Sequence, residues 1–451
     1  MKHPAPRLLT LAALVCTALF ARGENWGQWR GPTFNGSSPE KNLPSSWSES
    51  EGVKWSTPLP GPSGATPAVW GDAVFVSTPD DNKDLLLFCL DRKDGKVRWQ
   101  QRLATGNIVK GKGNMASPSP VTDGKSVFML YGTGDLAALD FDGKILWQRH
   151  LGADYGRFAI MWTYGSSPLL FGGKLYVQVL QRTPAPDDYP GIAGSAGDRE
   201  SYLLALDPAD GKTLWKHVRP SDARLESMES YASPVPHVGA DGKAQLLLVG
   251  GDCLTGHDAA TGAELWRGFG LNRKRGEWMR IVPSPVSAAG LAIACGPKKE
   301  PLIAFRTDLT GDITEKGVAW SLDDKTSPDV CTPAFYAGSL FSLNGDAQTL
   351  ACLDPATGKV KWEGNLGERT VIRSSPTVAD GKVYVVNEKG TVFVCGAGDE
   401  FKVLATIPMG GAEATRSSIA IASGQLFLRL PERIVCVGKE AAFGDDESFG
   451  V

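Results

Sequence analysis

The sequence predicts an all-β protein, an eight-bladed β-propeller of four-stranded antiparallel blades. Three observations support this prediction. Two short markers alternate along most of the chain, the segments between them have the pattern of short strands separated by glycine turns, and the first and last repeats are incomplete in complementary ways. Turn-forming residues are abundant, since the 451 residues include 53 glycines and 30 prolines.

The repeat is defined by a Ser/Thr-Pro step that opens an apolar run and by a tryptophan that follows a glycine-containing turn. The steps begin at Thr66, Ser117, Ser167, Ser233, Ser284, Thr332 and Ser375. A degenerate eighth copy is Ser418-Ile419. The tryptophans are Trp55, Trp99, Trp147, Trp215, Trp266, Trp320 and Trp362. Leu404 takes the eighth place, and the intervals of 42 to 68 residues suit propeller blades.

Each unit predicts four strands in a fixed order. In residues 375–396 (SPTVADGKVYVVNEKGTVFVCG) an apolar run, an alternating strand at 382–386 and a third strand at 391–395 are separated by turns. Elsewhere the third strand passes through a glycine turn into the tryptophan strand, as in ALDPADGKTLW at 205–215. Short alternating strands with such turns every 8–12 residues indicate antiparallel β-structure.

The two ends of the repeat predict how the ring closes. The repeat begins with a lone tryptophan strand at 53–59 and ends with three strands at 417–438. Pairing them completes the eighth blade and removes two open sheet edges. We therefore predict one propeller domain over 53–438, preceded by a Trp- and Pro-rich lead-in at 24–52 and followed by an acidic tail at 439–451.

Residues 1–23 are predicted to be a secretory signal peptide. Lys2 and Arg7 precede the uncharged apolar run LLTLAALVCTALFA, which is too short for a comfortable membrane span. A membrane anchor and a lipoprotein signal at Cys16 are the alternatives, although Val15 stands where a lipoprotein signal has a small residue. We expect an exported mature chain, periplasmic or extracellular, without a transmembrane span.

Charge and cysteine spacing exclude several classes. A formal net charge of −3 argues against a nucleic-acid binder, and five scattered histidines argue against a histidine-rich metal enzyme. The eight cysteines form no CxxC, no adjacent pair and no CxxCH, so no metal site or haem attachment is predicted. Most lie in apolar runs, as small buried residues do.

We expect the mature protein to be a monomer.

The recurring residues of the repeat have structural explanations. A tryptophan on the outer strand can pack between blades, and the glycine permits a turn with positive φ. The pattern A-x-D-x-x-T-G-x-x-x-W, seen in ALDPADGKTLW and CLDPATGKVKW, resembles the tryptophan-docking motif of the PQQ-repeat (quinoprotein alcohol dehydrogenase-like) β-propeller family. The segments QWRGPTFNG, LPSSW and VKWSTPLPG resemble exported BamB-like proteins or PQQ-repeat proteins of unassigned function.

This resemblance implies two different functions. The dehydrogenases use PQQ against an adjacent Cys-Cys ring, Ca²⁺ held by Glu and Asn, and an Asp base, whereas BamB-like proteins are scaffolds. This sequence has no adjacent cysteines, and its acidic turns at 79–84 and 308–317 lack a full Ca²⁺ ligand set. It also has no GxSxG, HExxH or P-loop motif. We expect no cofactor, with PQQ as the alternative, and assign no catalytic residue.

A binding site is predicted on the face that carries the long loops at 104–116, 152–165, 181–201 and 268–282. Residues just before the Ser/Thr-Pro steps should surround the central channel there. The candidate ligand-binding residues are Arg280, Arg373, Arg416, Trp162, Tyr164, Tyr231 and Trp278. Glu229 and Asp329 lie within a few positions of them. The alternative is that these side chains form salt bridges and packing between blades.

The favoured function is an exported, non-enzymatic binding or scaffold propeller that recognises a protein of the cell envelope or a small ligand through its loop-rich face. The first alternative is a periplasmic quinoprotein oxidoreductase, or another propeller enzyme using the central channel. The second is a propeller that binds extracellular polysaccharide through Trp162 and Trp278.

Overall fold

A computed structural model describes residues 25–190, 197–323 and 326–438. The predicted signal peptide and acidic tail lie outside these residues. Eight antiparallel sheets, one per predicted unit, form the blades of a propeller, which confirms the predicted fold. Within the described residues, no helix is long and apolar enough to cross a membrane.

The strands of each blade run from the channel outwards. Blades 1 and 2 comprise Ala68–Trp70, Ala73–Pro79, Asp84–Asp91, Val97–Thr105; Val121–Thr122, Ser126–Leu130, Asp135–Asp140, Ile145–His150. Blades 3 and 4 comprise Leu169–Phe171, Lys174–Val179, Tyr202–Leu206, Thr213–Val218; Val235–Val238, Ala244–Gly250, Cys253–Asp258, Glu264–Phe269. Blades 5 and 6 comprise Val286–Ala288, Leu291–Cys295, Leu302–Arg306, Val318–Leu322; Ala334–Tyr336, Ser339–Asn344, Thr349–Leu353, Val360–Asn365. Blades 7 and 8 comprise Thr377–Ala379, Lys382–Val386, Thr391–Gly396, Val403–Pro408; Ala420–Ala422, Gln425–Leu430, Arg433–Gly438, Val53–Pro58.

Blade 8 closes the ring with strands from both ends of the repeat, as predicted. Its outer strand Val53–Pro58 pairs antiparallel with Arg433–Gly438, and Thr57 lies opposite Ile434. The loops add a short α-helix, Leu151–Tyr155, a 3₁₀ helix, Leu225–Met228, and further short strands at Val109–Lys110, Gly113–Asn114 and Gly311–Asp312.

The pattern of burial explains why these sequences fold into blades. The second strand of blade 1, Ala73–Pro79, is buried throughout, whereas the outer strand Val97–Thr105 is mostly accessible. Inner strands contact a neighbouring blade on both faces, so they are continuously apolar. Neighbouring blades share one core: Ile293 of blade 5 and Leu340 of blade 6 belong to the same buried cluster.

The repeat tryptophans join each blade to the next. The Trp55 indole N–H donates to the Arg92 carbonyl at 2.8 Å, and its ring lies against Gly95, where a Cβ would come within 2.5 Å. Gly95 has a φ of +72°, which disfavours other residues there. The indoles of Trp99, Trp147, Trp320 and Trp362 donate likewise to Phe141, Pro208, Pro355 and Gly398.

Two repeat tryptophans depart from this pattern. Trp266 donates to Gln245 within its own blade at 2.8 Å, because the following blade replaces the tight turn with a longer connection. In that connection Gly311–Asp312 pairs alongside the outer strand of blade 4. Trp215 packs on Gly262, but its indole N–H has no hydrogen-bond partner among the described residues.

A ring of hydroxyl groups surrounds the channel axis. A backbone N–H at each Ser/Thr-Pro step donates to the hydroxyl of the next step at 2.8–3.0 Å, from Thr66 through Ser119, Ser167, Ser233, Ser284, Thr332 and Ser375 to Ser418. Blade 2 uses Ser119 and not the predicted Ser117, so that prediction was wrong. The sequence SPSP offers both serines, and only the hydrogen bonds distinguish them.

The lead-in crosses one end of the channel as a strap, which we define as residues 25–47. Trp26 pairs with Val69 of blade 1, and the side chain of Gln28 bonds to the backbone of Leu170 in blade 3. Only two residues later, Arg30 reaches blades 6 and 7, on the far side of the ring. The strap ends against blades 7 and 8, where the Tyr384 hydroxyl donates to the carbonyl of Pro44.

Candidate functional site

A cavity of about 690 Å³ occupies the channel at its loop-rich end. Six of the seven predicted site residues line it: Trp162, Tyr231, Trp278, Arg280, Arg373 and Arg416. Tyr164 does not. It is buried beside Phe158, and its hydroxyl donates to the Gln178 carbonyl at 2.6 Å. The position of Tyr164 just before a Ser-Pro step does not indicate that its aromatic ring is buried in the blade and not in the cavity wall.

Trp162 is held in a fixed position at the cavity wall. Its indole N–H donates to Glu226 at 2.8 Å, and its backbone N–H donates to the Tyr231 hydroxyl at 3.2 Å. One edge of the ring packs on Gly111, where a Cβ would come within 2.6 Å. The side chain nevertheless remains 39% exposed. An exposed aromatic ring that is already immobilised loses little conformational entropy when a ligand covers it.

Trp278 lies on a second loop, which is hydrogen-bonded to the 3₁₀ helix that contains Glu226. The Ser227 N–H donates to the Glu277 carbonyl at 3.1 Å, and the Ser227 hydroxyl accepts the Met279 N–H at 2.8 Å. Trp278 is 49% exposed. The helix Leu225–Met228 therefore supports both indoles, one through Glu226 and the other through Ser227.

Glu229 is a buried carboxyl group directly behind this wall. It accepts hydrogen bonds from the Met161 N–H at 2.8 Å and from the Tyr231 hydroxyl at 3.2 Å. Burial raises the pKa of Glu229 to about 7, and the negative charge of Glu226 adds to the rise. The protonation state of Glu229 therefore changes near neutral pH, at a position that supports the loop of Trp162.

The three arginines both line the cavity and join neighbouring loops. Arg280 forms two hydrogen bonds of 3.0 Å with Asp329. Arg373 contacts Asp346 at 2.7 and 3.1 Å, and Arg416 contacts Glu388 at 3.0 Å. Both interpretations of these arginines therefore apply: they form salt bridges between blades, and they also line the channel.

Asp329 illustrates the electrostatics of these pairs. Burial by itself would raise the pKa of this carboxyl group, but hydrogen bonds and charge from Arg280 lower it below its ordinary value. The Arg280–Asp329 pair therefore stays ionised at neutral pH. It holds the guanidinium in place at the cavity wall.

The cavity also contains residues that the sequence analysis did not select. Trp29 of the strap lines it from the closed end, and Lys112, Glu226 and Lys298 line it from the loops. Nothing in the local sequence marks Trp29, because its position depends on a strap that crosses the whole ring. Lys112 and Lys298 lie in basic loop segments that are also typical of solvent-exposed turns.

Comparison with protein families identifies the fold family. The sequence model of the family described as outer membrane protein assembly factor BamB matches residues 42–177, 161–320 and 312–399. The chain belongs to this BamB-like family. No curated protein sequence matches it.

Solved structures with the same architecture include BamB-like and enzymatic propellers. BamB from Moraxella catarrhalis matches with a TM-score of 0.56 and 15% identity, covering 85% of this chain and 98% of that one. The quinohemoprotein alcohol dehydrogenase from Comamonas testosteroni matches with a TM-score of 0.64 and 13% identity, covering 93% and 82%. At these identities the matches concern the fold alone.

The donor groups of the cavity do not fit the cofactor of the dehydrogenases. The seven described cysteines are all buried, none of them forms a disulfide, and none of them lines the cavity. Among the described residues no group of three or more His, Cys, Asp or Glu side chains could hold a metal ion. We derive no step through PQQ or Ca²⁺.

Proposed function

We propose that this BamB-like protein is an exported, non-enzymatic binding propeller that takes its ligand into the cavity at the loop-rich end of the channel. The observation that carries the proposal is the cavity itself. It is about 690 Å³ in volume, of a size that suits small ligands, and combines two partly exposed indoles with a few fixed polar groups. The strap lies across the other end, so a ligand would enter from the loops.

The location in the cell envelope has separate support. The apolar segment at the start of the chain has the features of a secretory signal peptide, and the family is described by its role in outer membrane protein assembly. We propose a periplasmic or extracellular location on these two grounds. A protein partner of the cell envelope could use the same loops, whose tips surround the cavity.

The enzymatic alternative has weaker support. A quinoprotein would need a donor set that the cavity does not offer, and no nucleophile–base pair was identified from the sequence. Glu229 has a pKa suited to acid–base chemistry, but both hydrogen bonds described above join it to the protein rather than to the cavity. We assign it a supporting role for the Trp162 loop.

Binding to glycan and peptide arrays tests the proposal. The double variant W162A/W278A removes both exposed indoles at the cavity. The matched control L146A/L214A removes two similarly exposed apolar side chains from the outer strands of blades 2 and 3. We expect the first variant to lose at least about tenfold in affinity for the bound ligands, and the control to bind like the wild type.

Three results would overturn this assignment. One is no binding to any array ligand, and another is equal binding by both double variants. The third is sustained alcohol-dependent dye reduction after addition of PQQ and Ca²⁺, which would restore the dehydrogenase interpretation. Unfolding curves for both variants establish that a loss of binding does not reflect a loss of fold.

A further inference from the structure

We propose that the ligand of this cavity is an acidic oligosaccharide, one whose sugar rings carry carboxylate or sulfate groups. This inference rests on the proposed function and names the chemistry of the same site. Three features of the cavity carry it: the hydroxyl ring, the distribution of charge and the two indoles.

The hydroxyl ring presents hydrogen-bond donors to the channel. Six of its members line the cavity: Ser119, Ser167, Ser233, Thr332, Ser375 and Ser418. Each of their oxygens already accepts a backbone N–H from the preceding step, as at Ser167, where the distance is 2.9 Å. A hydroxyl group whose oxygen is occupied in this way still has its hydrogen to donate. Such a ring suits a ligand rich in hydrogen-bond acceptors.

The charges that face the cavity are mostly positive. Five cationic side chains line it, namely Lys112, Arg280, Lys298, Arg373 and Arg416. Glu226 is the only acidic lining residue among those described, and it accepts the Trp162 N–H. The three arginines line the cavity, whereas their acidic partners Asp329, Asp346 and Glu388 do not. This arrangement attracts an anionic ligand.

The Lys112 ammonium retains capacity for a ligand. It is 55% exposed and lies 4.0 Å from Glu388, which is at the limit of an ion pair. An acceptor oxygen on a bound ligand could therefore contact it.

The indoles indicate the shape of the ligand. Trp162 and Trp278 are 39% and 49% exposed, and Trp29 lines the cavity from the strap. A pyranose ring has apolar C–H faces that can cover an indole, and its oxygens project from the edges towards hydrogen-bond donors. A peptide backbone brings one N–H group per residue, and that group can only donate. A saccharide hydroxyl can accept a hydrogen bond from the ring and turn its own hydrogen towards water, so a saccharide fits better than a peptide.

Calorimetric titration of the full chain tests the inference with three probes: a uronic-acid tetrasaccharide, the neutral tetrasaccharide of the same linkage and an acidic hexapeptide. A sulfated tetrasaccharide distinguishes the two sources of negative charge. We expect the better acidic saccharide to bind at least tenfold more tightly than the neutral one. The difference should shrink at high salt because ionic interactions are screened.

The variant K112Q removes a cavity charge without breaking a close ion pair. It should weaken binding of the acidic saccharide about threefold to tenfold and weaken binding of the neutral one by a smaller factor. The matched control K243Q alters an exposed lysine that does not line the cavity and should have no effect.

Equal affinity for acidic and neutral saccharides would overturn the charge argument, and tighter binding of the peptide would overturn the saccharide assignment. In both cases the proposed function stands as long as binding still depends on Trp162 and Trp278. If neither saccharide binds while an array ligand does, the saccharide assignment is also wrong. If no ligand depends on the two indoles, the proposed function itself fails.

Discussion

The two ends of the central channel use arginine in opposite ways. At the strap end, Arg30 is only 2% exposed and donates to the backbone carbonyls of Pro333 and Pro376 at 2.8 and 3.0 Å. At the loop end, Arg373 pairs with the half-exposed carboxylate of Asp346 and faces the cavity. The first arrangement joins the strap to two distant blades, and the second positions charge for a ligand.

The largest expected effect concerns the closed end. The variant R30A removes the donors of at least two buried carbonyl groups and leaves a void, so we expect a loss of about 3 kcal/mol in the free energy of unfolding. The matched variant R373A breaks a partly exposed ion pair and should cost less than about 1 kcal/mol. Denaturant unfolding of both variants measures the difference. Equal losses would contradict the contrast between the two ends.

Measuring stability as a function of pH tests the protonation of Glu229, which lies behind the cavity wall at the loop-rich end. The folded pKa of Glu229, about 7, lies above its ordinary value of 4.5, so folding favours the protonated form. The contribution of Glu229 to the free energy of unfolding is fully present below pH 4.5 and is lost as the pH rises through 7. The whole change corresponds to about 3 kcal/mol, most of which falls between pH 5 and 8.5.

The variant E229Q should remove that pH dependence. It should therefore be more stable than the wild type at pH 8.5 and similar to it at pH 5. Unfolding curves at both pH values provide the measurement. A wild-type stability that rises over this range, or a variant with the same slope as the wild type, would show that Glu229 does not titrate as described.

The smallest effect is expected within the hydroxyl ring that lies between the two ends. Thr332 accepts the Ser284 N–H at 2.9 Å, whereas the Thr66 hydroxyl is buried with no partner among the described residues. Replacing threonine with valine keeps the shape. T332V should cost about 1–2 kcal/mol, and T66V should change stability by less than about 0.5 kcal/mol. If T66V proved the more destabilising variant, the Thr66 hydroxyl would have a hydrogen-bond partner, which would contradict this description of the ring.

The same comparison explains which features could be predicted from sequence. The blades and their closure were predictable because each tryptophan and each Ser/Thr-Pro step repeats a local pattern. The open end was largely predictable for the same reason, since Arg280, Arg373 and Arg416 occupy related positions before their steps. Tyr164 has a similar position, yet it is buried in the blade, because packing rather than spacing decides where an aromatic ring points.

The closed end could not be predicted in this way. Arg30 bonds to a carbonyl 346 residues away, and backbone carbonyls carry no sequence signal. The burial of Glu229 was equally hidden, because it depends on loops from separate blades meeting above the 3₁₀ helix. Contacts of this kind follow from the completed ring and not from the repeat that builds it.

Hydrogen–deuterium exchange, measured with and without the tightest-binding array ligand, shows where on the propeller the ligand binds. We expect slower exchange in the loops around Gly111, Trp162 and Trp278, with the strap and the outer strands unchanged. Slower exchange confined to the strap face or to the outer strands would contradict binding in the cavity, because the ligand would then lie outside it.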